Sequence, residues 1–543
     1  MKLPTLDDYQ TAIQVPGHTL LDPVLHAGKV EINSQSMPSV VSGGFALTYS
    51  ITAGSRRFAV RCFHKPGNRL DERYAHISRF IRGRPDLRFL IDVDYVAEGI
   101  LVNGRRLPIV RMPWVTGTRL NYWIEDNLDT TGALEKVRRA IASATESMSQ
   151  AGIAHGDLQH GNILVEPTGK ISLVDYDGMF LPELRPLGTI ESGHRNYQHP
   201  ERVEDYNSSL DIFSAFAIDL AIDALKLNKT LWAKFSNGEN ILFTSDDFAF
   251  PDSSDLLARL EQMSPLADRA RRLRIACAAS LADVPTILAG QASTTTRSGR
   301  VTPRQVRRAL SIDALDTATL FAHQGDEASV FGQITYIKVL KTRYGQRMTL
   351  INIGDYNNSG FIIVAFEKAT NELIAKFGPD LKKIWKANVS LTGLLTKYQN
   401  PNRKKPNPQI EMQRAASLQI LSSDQLRALK TSATEATAPP PVKPRHPAQS
   451  APKIQPRRAM SVDERIDSFF APKYTGHKNL SSPPKQAPPP PANPSPAPIP
   501  ARRVTPTPPT PPLPPPQPPL WAPPPTQRRP SLAERISAWW RNL

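Results

Sequence analysis

The chain has 543 residues, 52 prolines, two cysteines and a formal net charge of +17. That length exceeds what one core holds and gives room for two or three domains. Cys62 and Cys277 lie in apolar segments, which excludes a disulfide framework and a Cys-rich zinc site and leads us to expect a cytoplasmic protein. The start MKLPTLDDYQ carries acids where a signal peptide would need an apolar core, so none is expected, and no apolar run reaches spanning length, so no transmembrane segment is expected.

Residues 30–120 read as strands: VVSGGFALTYSI, RRFAVRCF and the long run ending RMPWV. One helical pattern, LDERYAHISRFI, interrupts them and places Tyr74, Ile77 and Ile81 on one face. From 120 to 290 helical patterns dominate, with a short β interval at GNILVEPTGKISLVDYDG. A β-rich lobe followed by a helical one predicts an α+β domain with a cleft between its halves. Residues 290–327 read as a polar linker with a short helix. Residues 328–421 then give five strand patterns, with ATNELIAKFGPDLKKIW as a helix between the third and fourth. Beyond 421 the chain holds 32 of its prolines, and 17 Lys+Arg against 6 Asp+Glu. Such a tail favours polyproline II or disorder, because it cannot bury enough apolar surface to offset chain entropy.

The most informative stretch is IAHGDLQHGNILV, residues 153–165. It sets Asp157 and Asn162 five apart on a loop leading into a strand, and Asp175 of LVDYDG follows thirteen residues after Asn162. Residues 1–289 resemble a bacterial protein-kinase-like domain in these motifs and in four others. FAVRCF matches the strand that carries a phosphate-contacting cation, and RMPWV the hinge between lobes. GHRNYQHPE matches the end of the activation segment, and LDIFSAFAIDL the next helix, whose Asp211 would brace the catalytic loop. The resemblance implies Asp157 as base or hydroxyl-positioning group, and Asn162 and Asp175 as magnesium ligands. It implies ATP bound by Gly43, Gly44 and Phe45 of a reduced phosphate loop, by Ala59 and Arg61, and by Met112 and Trp114 at the hinge.

This sequence departs from the family at several points. Arg61 stands where Lys is usual, and its planar fork is no simple substitute for a point ammonium. A helix glutamate to pair with it is not evident: Glu72 is one candidate, and a solvated first-turn acid is the other reading of it. Gly156 and Gln159 replace Arg and Lys, and the glycine is shared with small-molecule kinases. Asp177 either assists the metal or stabilises a turn. His155 and His160 lack a clustered third ligand and read as structural.

The strand–helix order of 328–421 resembles an OB-fold barrel, which implies a nucleic-acid, protein or sugar ligand. Lys341, Arg343, Tyr344 and Arg347 on the 1–2 hairpin suit single-stranded DNA or RNA, as do Tyr398, Arg403, Lys404 and Lys405 near the 4–5 connection. Cations would track phosphates while tyrosines stack on bases. In the tail, SVDERIDSFF (461–470) and SLAERISAWW (531–540) repeat one pattern, which reads as two short helices docking on a protein partner.

The expected architecture is therefore α+β: a bilobal protein-kinase-like domain (1–289), the linker (290–327), a five-stranded OB-type β-barrel (328–421) and a disordered, basic Pro-rich tail (422–543). The expected activity is that of an atypical serine/threonine-type protein kinase using ATP and Mg2+ on a protein substrate, in stress, repair or defence signalling. A pseudokinase scaffold and a small-molecule kinase are the alternatives.

Overall fold

A computed structural model describes residues 3–33, 37–42, 45–291, 310–341, 345–399 and 405–437. Both tail motifs lie outside the described residues, as do Gly43, Gly44, Arg343, Tyr344, Arg403 and Lys404. Among the described residues, no helix is long and apolar enough to cross a membrane.

The first element is one the sequence reading passed over. Helix α1 (Leu6–Ile13) is closed by a capping box in which Thr5 and Asp8 satisfy each other's backbone N–H groups. Leu6, Tyr9 and Ile13 of α1 pack against an antiparallel sheet on Leu47, Tyr49, Val60 and Ile109. That sheet contains β1 (Val40–Ser42), β2 (Ala46–Ala53), β3 (Arg56–Phe63), β4 (Asp94–Val102) and β5 (Arg105–Pro113), with β3 paired to β5. Helix α2 (Leu70–Gly83) buries Tyr74, Ile77 and Ile81, the face its spacing predicts. These join the larger core shared with the helical half.

In that half, α3 (Leu120–Asn127) precedes α4 (Ala133–Gln150). The buried side of α4 is Leu134, Val137, Ile141, Ala144 and Met148, alternating steps of three and four. Short strands β6 (Ile163–Val165) and β7 (Ile171–Leu173) follow. Helix α5 (Asp211–Leu227) is buried on most sides, from Phe213 through Leu225, as a central helix must be.

Residues 327–412 form a closed ring. Strand β8 (Glu327–Lys341) pairs with β9 (Arg347–Ile353), and β9 with β10 (Phe361–Phe366). Helix α6 (Glu367–Phe377) leads toward β11 (Asn388–Tyr398) and then β12 (Asn407–Met412). Strand β12 pairs parallel with β10 and antiparallel with β11, and β11 returns to β8. A bulge between Ile334 and Tyr336 bends β8 between its two partners. The sheet takes in more than the five expected strands. Ser311–Asp313, in the expected linker, pairs parallel with β8, and β13 (Gln419–Leu421), within the expected bounds, pairs with β11. Helix α7 (Ser423–Thr437) then occupies the beginning of the expected tail.

The ring is tied to both halves of the preceding domain. Gln324 donates to Asp7 of α1 at 2.8 Å, Asp326 pairs with Lys65 at 2.9 Å, and Lys397 also reaches Asp7. Toward the helical half, Arg414 pairs with Asp126 at 2.7 Å and Glu125 at 2.9 Å. Gln419 donates to the Asn237 carbonyl at 2.9 Å.

Candidate active site

The loop carrying Asp157 is fixed from below. Asp211, in the first turn of α5, accepts from the backbone N–H of His155 at 2.5 Å and of Gly156 at 2.9 Å. Gly156 has φ +78°, and a β-carbon there would lie 1.9 Å from the Gly178 carbonyl oxygen. The Asp157 loop and the Asp175–Gly178 turn are thus in backbone contact, with no room for any side chain. Packing alone accounts for glycine here, so this residue says nothing about substrate class.

Both carboxylate oxygens of Asp157 are held. Oδ2 accepts from the Asn162 side-chain amide at 2.8 Å, and Oδ1 from the His194 backbone N–H at 2.6 Å. The same Asn162 amide nitrogen donates to the Asp157 carbonyl at 2.9 Å. That leaves Asn162 Oδ1 as the oxygen a metal could use. Gln159, where Lys was expected, turns back and accepts from the Gly161 N–H at 2.7 Å.

Asp175 sits at φ +68°, a left-handed conformation uncommon for a residue with a side chain. Its Oδ1 lies 2.9 Å from Arg61 Nη1. Arg61 Nη2 meets Asp177 Oδ2 at 2.7 Å, and Nη1 meets the Tyr74 hydroxyl at 3.0 Å. The Tyr74 hydroxyl donates to Asp177 Oδ1 at 2.5 Å, closing a cluster of four side chains. Burial alone would weaken the hold of Arg61 on its proton, but Asp175 and Asp177 reverse that and raise its pKa well above the ordinary value. Burial also raises the Asp177 pKa, with Arg61 pulling it back down. Glu72 pairs with Arg69, so the residue of α2 that meets the cation is Tyr74. Tyr176, between the two aspartates, is locked by accepting from the Ile91 N–H at 2.6 Å and donating to the Leu173 carbonyl at 2.8 Å.

Sequence reasoning missed Glu191. Its Oε1 is buried with no hydrogen-bond partner, against Gly178. Burial, reinforced by the charges of Asp157, Asp175 and Asp177, pushes its pKa well up. Only the fold brings it there, since it lies between the LVDYDG and GHRNYQHPE motifs and belongs to neither. The histidines are structural. His155 Nε2 lies 3.0 Å from the Val174 carbonyl, and His160 Nδ1 lies 2.7 Å from the Tyr197 hydroxyl. Burial drives the His160 pKa well down and that of His194 to about 3.

Of the residues expected to meet a nucleotide, Ala59 pairs with Met112 across β3 and β5, and Met112 is buried. Trp114 carries the Arg57 guanidinium 4.0 Å above its ring. The Phe45 carbonyl accepts from the N–H groups of His64 and Lys65, closing the hairpin over β3. Among the described residues no three His, Cys, Asp or Glu side chains converge to hold a metal. Asp175 and Asn162 Oδ1 supply two hard oxygens, a set that fits magnesium when phosphates and water complete its shell.

The expected nucleic-acid residues are scattered on the ring. Lys341 ends β8 exposed, the Arg347 guanidinium lies 3.4 Å from Asn371, and Lys405 donates to Asn358 at 3.0 Å. Tyr398 ends β11 opposite Asn407. Two exposed aromatics were missed. Tyr336 on β8 and Trp385 before β11 are each more than half exposed, and Lys386 Nζ lies 4.8 Å from the Trp385 ring. Tyr336, between Ile334 and Ile337, reads in the sequence as core, and Trp385, in KKIWK, falls within the pattern expected as a helix.

No family model matches the chain, and no curated protein matches it. Among solved structures, the kinase PK-1 of Cydia pomonella granulovirus is similar over 49% of this chain and 96% of that one. The identity is 15% and the TM-score 0.30, so loose a superposition that it supports no transfer of activity.

Proposed function

We propose that residues 1–289 form an atypical protein kinase that moves the γ-phosphate of ATP to a protein hydroxyl. The observation that carries this is the bracing of the Asp157 loop by Asp211, against a turn that presents Asp175. Magnesium bound with ATP neutralises phosphate charge. The chain's own part is to hold Asp157 between Asn162 and His194, where its carboxylate takes the proton of the acceptor hydroxyl as that oxygen bonds to phosphorus. Asp157→Asn in the full chain should lower transfer from labelled ATP by about 10²–10⁴-fold while ATP binding persists. Equal transfer by variant and parent would sink the assignment.

A pseudokinase is the second reading, favoured by one observation: Asp175, the expected metal ligand, is already ion-paired to Arg61. Magnesium-dependent ATP binding without transfer in the parent would select it.

For residues 327–412 we propose an OB-type barrel that binds single-stranded nucleic acid. The ring order and the exposed Tyr336 and Trp385 beside Lys386 support it. Trp385→Ala should weaken binding of an oligothymidine by about 1–3 kcal/mol. No binding at low salt would leave a protein-docking barrel.

A further inference from the structure

In the kinase resemblance, the cation of β3 reaches for phosphate and is aimed by an acid on α2. The distances here describe another device. Arg61 is spanned by two carboxylates from one turn, Asp175 at 2.9 Å and Asp177 at 2.7 Å, and its side chain is only 4% exposed. Its fork is therefore occupied on both arms by the chain itself. From α2 comes a phenol, Tyr74, which touches Arg61 at 3.0 Å and Asp177 at 2.5 Å. A phenol bridges a cation and an anion equally well, donating to one and accepting from the other, whereas a carboxylate in its place would face Asp177 with like charge.

Asp175 needs such a support. Its left-handed φ of +68° costs free energy for a residue with a β-carbon, and the strain persists only if the surroundings over-determine it. Tyr176 anchors the turn on one side through Ile91 and Leu173. Arg61 anchors it on the other, hydrogen-bonding Asp177 and meeting Asp175 as an ion pair at 2.9 Å that is not a hydrogen bond. A lysine's single ammonium lacks the planar fork that meets the two carboxylates through separate arms.

We infer that Arg61 acts as a positioning residue that holds Asp175 in its metal-binding conformation, with Asp177 and Tyr74 as the counterpart that aims Arg61. The substitution of arginine for lysine and the second aspartate of DYDG then form one coupled change. Helix α2 is read by the site through the Tyr74 hydroxyl. This inference rests on the kinase reading of the Asp157–Asp175 pair, and the test separates the two.

The test uses the full chain and follows ATP binding by calorimetry as magnesium is titrated, with a parallel series in EDTA. Asp177→Asn should raise the magnesium needed for half-maximal ATP binding about tenfold, and Tyr74→Phe about threefold, since it removes one of the two supports. Arg61→Lys should behave like Asp177→Asn. In EDTA all three should bind ATP as the parent does. Asp177→Glu should recover part of the magnesium response. Weaker ATP binding in EDTA by Arg61→Lys, with Asp177→Asn unchanged in magnesium, would show that Arg61 is a phosphate ligand and overturn the inference. A fall in melting temperature with no shift in the magnesium titration would reduce the cluster to a structural one and overturn it equally. If Asp177→Asn does not fold, Tyr74→Phe alone decides, because it deletes a single hydroxyl. A parent chain that binds no ATP at any magnesium concentration defeats the kinase reading and this inference together. A parent that binds but does not transfer defeats catalysis alone, and the magnesium shifts still decide the role of Arg61.

Discussion

Among the buried arginines, Arg61 lies against the Asp175–Gly178 turn and Arg414 where the ring meets the helical half, and water treats their partners differently. The Arg61 side chain is 4% exposed and its closer partner, Asp177, only 2%. Arg414 is nearly as buried at 7%, yet its partners Glu125, Asp126 and Glu372 are 25%, 44% and 27% exposed. In the first cluster Arg61 and Asp177 have both left water, so each depends on the other, while Asp175 beside them stays 28% exposed. In the second the carboxylates keep part of their hydration and can fall back on it. A junction between modules tolerates imperfect pairing, whereas a site that fixes one conformation does not.

The largest break in this comparison should come from Arg61→Met. It strands Asp177 and Asp175 without a cation and should lower the unfolding free energy by about 3–5 kcal/mol in urea titrations. A loss under 1 kcal/mol would mean that the cluster is hydrated in solution. Next is Gly156→Ala, in which the added carbon meets the Gly178 carbonyl. The loss should be about 3 kcal/mol, and Asp157 should be displaced, so transfer should fall more than melting temperature alone explains. Arg414→Ala should cost less, about 1–2 kcal/mol, because its partners rehydrate. Protease cleavage before residue 327 should quicken in that variant. An effect as large as that of Arg61→Met would erase the distinction drawn above.

The smallest effect is in acid. His160 is buried and His194 half-buried, and both are neutral, with pKa values held down by desolvation and, for His194, by Arg195. The unfolded chain protonates both below about 6.5 while the folded chain does not, so their contribution is complete above that pH and is lost as pH falls. Glu191 and Asp177 oppose this trend, since their raised pKa values let the folded chain take up protons first. Comparing the parent with His194→Asn isolates one histidine. The parent's stability advantage should shrink by up to about 1.4 kcal/mol per pH unit between 6.5 and 4. A constant difference would place His194 in contact with water.

The loop from His155 to Asn162 is legible in the sequence because its chemistry is local: five residues set the spacing of Asp157 and Asn162, and the brace from Asp211 lies in a readable helix start. The strand order of the ring is legible for the same reason, as alternation and turns follow one another along the chain. Tyr74 and Asp177 are not, because 103 residues separate them and only packing of α2 against the turn joins them. Helix α7 is hidden because the tail is expected from residue 422, whereas the proline-rich run starts only at Pro439, after the helix ends. Arg414 stands in a polar stretch, and nothing nearby announces that three carboxylates from two modules will close on it.

The barrel grips both halves of the preceding domain, through Gln324 and Asp326 on one side and Arg414 and Gln419 on the other. A splint of this kind makes any movement of the sheet half against the helical half a shared degree of freedom. The halves cannot part unless the ring rides with one and lets go of the other, so the free energy of parting includes one set of those contacts. Whatever ligand prefers the ring released must, by reciprocity, be preferred by the parted halves, and to the same factor. The two modules therefore belong to a single thermodynamic cycle, whose coupling is set by whichever grip is the weaker.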